Sequence, residues 1–94
     1  MIFCRKGAVS METRVAVIAI IVKNTEAVAA LNALLHQYAS RIIGRMGVPC
    51  HARGVSIISV AMDAPADEIS ALSGKIGRLA GVTAKTVYAP EEAL

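Results

Sequence analysis

Tryptophan is missing from this 94-residue chain, and the aromatic total is one phenylalanine and two tyrosines. The phenylalanine, Phe3, falls in the N-terminal tail, so no basic surface interleaved with aromatic side chains can be assembled from what remains. Cysteine is almost as scarce. Cys4 in the tail and Cys50 in a predicted turn do not make the disulfide framework of a small secreted domain. A long hydrophobic run is also wanting: the longest, "VAVIAIIV" from Val15 to Val22, is far short of the ~20 residues a membrane-crossing helix needs. The basic pair Arg5 and Lys6 is followed by no apolar core of a secretory signal, and a cytoplasmic location is expected. An excess of one charge is missing too. The formal net charge is +3, but without Arg5 and Lys6 eight basic residues face seven acidic ones, so the basicity belongs to the tail and argues little for nucleic acid. Finally, no Ser-His-Asp set or carboxylate pair can be named and neither histidine has an acid partner in sequence, so no enzyme is expected.

What is present is apolar side chain in abundance: 55% of residues, with a mean hydropathy of +0.57. Ninety-four residues make one core, not two. Since lipid fails the length test, a partner chain is the expected cover for the excess. Residues 1–11 read as a disordered extension with a second methionine, Met11, at its end; 12–89 as a single domain; and 90–94 as a frayed terminus.

Along that domain the apolar run from Thr13 to Lys23 reads as a strand buried on both faces. Asn24 offers an N-cap oxygen and Glu26 a negative charge to a first helix. Ala27, Leu31, Leu34, Leu35 and Tyr38 share its inner face, with His36 and Gln37 outside the stripe. Arg41 to Pro49, broken by two glycines and two arginines and ending in a proline, suits an edge strand. A hairpin loop ending in Gly54 returns the chain into Val55–Asp63, a richly apolar central strand. Pro65 opens a second helix, with Asp67 and Glu68 in its first turn and Gly81 expected as its C-terminal cap. A last strand runs from Val82 to about Tyr88.

The order β-α-β-β-α-β is the ferredoxin-like split unit, an α+β sandwich with a four-stranded antiparallel sheet and two helices on one face. That arrangement leaves the other face bare. Yet the first strand is apolar on both parities: Val15, Val17, Ala19 and Ile21 on one side, Ala16, Ile18, Ile20 and Val22 on the other. A second copy of the chain, packed through the sheet as a homodimer or homotetramer, is the simplest cover.

Within the second helix, "ISALSGKIGRLAGV" sets Ser70, Ser73, Gly74 and Gly77 along the border of a stripe made by Ile69, Leu72, Ile76 and Leu79. A phosphate loop would need glycine five residues before Gly74 and Ser or Thr after Lys75, where the chain has Ile69 and Ile76. Interior glycines cost ~0.5–1 kcal/mol each relative to alanine, so close packing against that border is expected. A small ligand meeting the bare backbone beside Lys75 is the alternative.

The segments "LNALLHQYASRIIGRMGVP" and "GVSIISVAMDAPADEISALSGKIGRLAGVTAKTV" resemble the family of small proteins labelled iron-only hydrogenase system regulators, over about residues 12–87 and most specifically over Ala71–Thr86. The resemblance implies an ACT-like ferredoxin fold, related in shape to the C-terminal domain of the nickel-responsive repressor, and a regulatory role.

Three chemistries compete with that role. His36, Cys50 and His51 are weak metal candidates, because the repressor's paired strand histidines followed by cysteine are absent and no subunit gathers three ligands; no cofactor is expected. ACT-type domains hold effectors near the turn after the first strand, here Lys23, Asn24 and Thr25, where free N–H groups could take a small anion. The glycine common in amino-acid-binding ACT loops is missing there, and capping by Asn24 competes. With Gly74, Lys75 and Gly77 these make the candidate ligand residues. Arg14, Arg41, Arg45, Arg53, Lys75, Arg78 and Lys85 are dispersed over several elements, so one chain alone is not expected to bind DNA. The expectation is a non-enzymatic regulatory or interaction module working as a homo-oligomer; the alternative is a metal-sensing or DNA-contacting regulator acting only as an oligomer.

Overall fold

The computed structural model describes residues 12–90; the extension expected over 1–11, with Cys4, and residues 91–94 of the expected frayed end lie outside them. Strand β1 is Arg14–Val22, helix α1 Val28–Gln37, β2 Ile42–Cys50, β3 Val55–Ala64, α2 Ala66–Gly77 and β4 Val82–Tyr88, with short 3-10 turns over Thr25–Ala27 and Ala39–Arg41. The four strands form one antiparallel sheet in the order β2-β3-β1-β4. The two most apolar strands are central and the proline-bearing β2 lies at an edge, as the sequence requires.

Both helices cover one face. Leu31 and Leu35 of α1 and Ile69, Leu72 and Ile76 of α2 are buried against Ala16, Ile18, Ile20 and Val22 of β1 and Ile58, Val60, Met62 and Ala64 of β3. The i, i+4 and i, i+3 spacing of the helical residues places them on single faces, and alternate strand residues rise to meet them. Leu34, Tyr38 and Leu79 pack at the margin of that core.

The first helical segment begins as a 3-10 turn capped by Asn24, whose side-chain oxygen accepts from Glu26 N at 3.0 Å. Replacing Asn24 with alanine should cost ~1 kcal/mol and lower the melting temperature by ~4–8 °C, read by thermal denaturation monitored by circular dichroism. At the far end, Arg41 grips Glu68 through two nitrogens, at 3.0 and 3.3 Å, and ties the 3-10 turn after α1 to the first turn of α2. Both side chains are about one-third exposed, so screening keeps the pair to ~1 kcal/mol or less.

Gly81 does not cap α2. The helix ends at Gly77, its last N–H bonds fall to Arg78, and Gly81 stands just before β4 with φ of 75°. Its carbonyl accepts from Lys23 N at 2.7 Å, which draws the end of β1 and the start of β4 together. A Cβ at Gly81 would lie 2.7 Å from the Asn24 Cβ. Close approach, not helix termination, is the demand on this position.

Candidate functional site

The face of the sheet away from the helices is built by the odd-numbered residues of β1 and their cross-strand neighbours. Register places Ile21 beside Ile57 and Thr83, and Ile57 beside Val48; Ala19 beside Ser59 and Lys85, and Ser59 beside Met46; Val17 beside Ala61 and Val87, and Ala61 beside Gly44. In the single chain Val17 is 41% exposed, Ile57 43%, Val48 51%, Met46 64% and Val87 67%. Large apolar side chains open to water thus concentrate on one surface, the pattern of a contact site rather than of scattered exposure. The polar members are Ser59, which is small, Thr83 at the β4 margin, Asp63 beside Val15 at the end of β3, and Lys85, whose long apolar stem can lie along the sheet with its ammonium at the rim.

Strand β2 shows the preference most plainly. Before the bulge Ile42, opposite Met62, packs against the core; beyond it the helix-side residues, opposite Val60, Ile58 and Ser56, are Arg45, Gly47 and Pro49, whereas Met46 and Val48 point to the open side. A strand with one buried and one wetted face puts its apolar residues toward the core. From Gly44 to Pro49 the polarity runs the other way, with the larger apolar side chains on the open face. A shift of register between Ile42 and Gly44 marks a bulge, the change of alternation that sets this orientation.

The expected ligand residues fall into two groups. Lys23, Asn24 and Thr25 lie at the β1–α1 junction, where the Asn24 oxygen is engaged as the cap and Lys23 N in the bond to Gly81. Gly74 and Gly77 are exposed on α2, with nothing within 4 Å of where their Cβ atoms would be. The close packing expected of them does not occur among the described residues. Ser73, in the same band, does have a structural partner: its hydroxyl accepts from Thr86 Oγ1 at 3.0 Å and fastens α2 to β4. Lys75 turns to Tyr38, donating to its hydroxyl at 3.2 Å with the ammonium 5.5 Å from the ring centroid. No hydrogen bond among the described residues joins the two groups.

The metal candidates are separated by the fold. His36 is in the last turn of α1, near the start of β2, while Cys50, expected in a turn, is the last residue of that strand and His51 follows it; at about 3.3 Å per residue β2 spans roughly 26 Å. Among the described residues no three His, Cys, Asp or Glu side chains gather as metal ligands. Of the dispersed cations, Arg14 donates to the Ala89 carbonyl at 3.2 Å and lies over the Tyr88 ring at 4.6 Å, Arg41 is paired with Glu68, and Arg45 donates to Asn32 Oδ1 at 3.1 Å. No helix among the described residues is long and apolar enough to cross a membrane.

The Asn32–Arg45 pair has no signal in the sequence, because the bulge between Ile42 and Gly44 sets the side on which Arg45 falls. Asn32 and Arg45 border a groove of about 280 Å3 between α1 and β2, lined also by Leu35, His36, Ala39 and Ile42.

Comparison with known proteins adds a family. A family model described as "TM1266-like: Iron-only hydrogenase system regulator, putative" matches residues 14–86. Among solved structures, the uncharacterized protein TM1266 from Thermotoga maritima superposes with a TM-score of 0.81 at 35% identity, over 84% of this chain and all of that one. No curated protein matches.

Proposed function

The chain belongs to the TM1266-like family, described as iron-only hydrogenase system regulators, and on that premise we propose that it is a non-enzymatic regulatory module of such a system, working as a homo-oligomer joined through the open face of its sheet. The observation that carries the assembly is the inverted polarity of β2 together with the exposed Val17, Ile57, Met46, Val48 and Val87 on that same surface. Four strands ~4.8 Å apart and about seven residues long give a face of roughly 19 by 23 Å. Two such faces together bury on the order of 1,000 Å2 of accessible surface, the lower bound of a specific interface. A copy of the chain fits because the surface is mostly apolar, its two charged members Asp63 and Lys85 are of opposite sign, and an isologous contact needs no second gene product.

Assembly gives a regulator a two-state element: a ligand or partner that prefers one association state shifts the other. The test is complementation. In a host whose iron-only hydrogenase is active and whose copy of this gene is deleted, the wild-type chain should restore hydrogenase output and the transcript level of its maturation genes, and a variant with lysines at positions 17 and 57 should not. Restoration by the variant to the wild-type level would separate the role from the face, and an unchanged output in the deletion strain would remove the hydrogenase role.

A further inference from the structure

We propose that the groove between α1 and β2 is a binding site for a small carboxylate with a short apolar tail, held by Arg45. The proposal turns on a contrast between two arginines of one neighbourhood. Arg41 spends its charge on Glu68. Arg45 is oriented by a neutral partner, the Asn32 side-chain oxygen at 3.1 Å, and has no carboxylate partner among the described residues. Its guanidinium is therefore already positioned, with most of its five donors and all of its charge left over. A fork of this kind matches a carboxylate in two parallel bonds.

The rest of the groove defines the other half of the ligand. Leu35, Ala39 and Ile42 make an apolar wall, His36 stands at the helix side, and the volume of about 280 Å3, just below the ~300–1,000 Å3 of drug-sized clefts, suits a ligand of a few heavy atoms. The β2 side of the groove is made by Ile42 and Arg45, the two helix-side residues that flank the bulge. The bulge between Ile42 and Gly44 fixes the alternation that puts Arg45 on this side rather than on the open face. Because the groove lies on the helix side of the sheet, its occupation can be read separately from assembly through the opposite face.

The experiment is a nitrogen-15 amide titration of the full chain with sodium butyrate, with sodium phosphate and sodium chloride at matched ionic strength as comparison arms. Butyrate should give a saturable shift centred on Asn32, His36, Ala39 and Arg45, with phosphate at least tenfold weaker and chloride without saturation. Arg45→Gln should weaken butyrate binding about ten- to hundredfold. Ala39→Leu, which fills the groove without touching the charge, should abolish it; both positions are exposed, and both variants should keep the wild-type circular dichroism spectrum and mass. Absence of a saturable butyrate shift, undiminished binding by Arg45→Gln, or phosphate binding as tight as butyrate would each overturn the assignment.

Discussion

A chain carrying Val17→Lys and Ile57→Lys is expected to remain folded and to run as a single 9.8 kDa subunit under conditions where the wild type is associated. Both side chains are already about two-fifths exposed within one subunit and neither belongs to the core beneath the helices, so the isolated fold loses little, up to ~1 kcal/mol at each strand position. Within an assembly the cost is of another order. A two-fold contact places every introduced ammonium twice, and an ammonium held against Val and Ile of a partner loses its hydration without gaining a counter-charge. The dissociation constant should rise at least a thousandfold, about 4 kcal/mol. Sedimentation velocity over a concentration series reads that change directly, and far-UV circular dichroism reports whether the subunit survived. A matched pair of lysines on the outer side of α2, at Ser70 and Gly77, should leave the mass unaltered.

The second large effect is on stability. Gly81→Ala should lower it by ~2–4 kcal/mol, a fall in melting temperature of ~10–25 °C. Two costs act together: a positive φ of 75° is disfavoured for an L residue by ~1–2 kcal/mol, and the new methyl would come within 2.7 Å of the Asn24 Cβ, an atom fixed to the backbone that cannot swing aside. Relief would require parting β1 from β4 where Lys23 N meets the Gly81 carbonyl. Gly54→Ala isolates the first cost. Its φ is 68°, but nothing lies within 4 Å of the added carbon, so only ~1 kcal/mol should be lost. Equal melting temperatures for the two variants would show that the approach at Asn24 carries no strain.

Much of this architecture can be read from one line of sequence, and the physical reason is the strength of each signal. Val15–Val22 and Val55–Met62 are too short and too β-branched for anything but buried strands, and they form the centre of the sheet. The double parity of β1 already announces a second apolar face. Asn24 before a helical stripe behaves as a cap because its side chain can reach the N–H two residues on. Long-range approach leaves no such local trace. Gly81 reads as a helix terminus from its neighbours, yet its role is set by Asn24, 57 positions earlier in the chain. Gly74 and Gly77 read as packing residues because interior glycines are costly, and among the described residues nothing lies within 4 Å of where their Cβ atoms would be. The Asn32–Arg45 pair is another case: helix and strand each look ordinary alone, and only the tertiary crossing of α1 over the edge of β2 brings the two side chains to 3.1 Å.

The lysine variant and the complementation test both presuppose that the wild-type chain associates at all, and light scattering coupled to gel filtration measures that without perturbing the molecule. At micromolar concentration the wild-type chain should elute at no less than twice the 9.8 kDa subunit mass. A mass of one subunit, unchanged as concentration is raised, would mean that Val17, Ile57, Met46, Val48 and Val87 stay in water, and the proposed assembly through the sheet would be wrong.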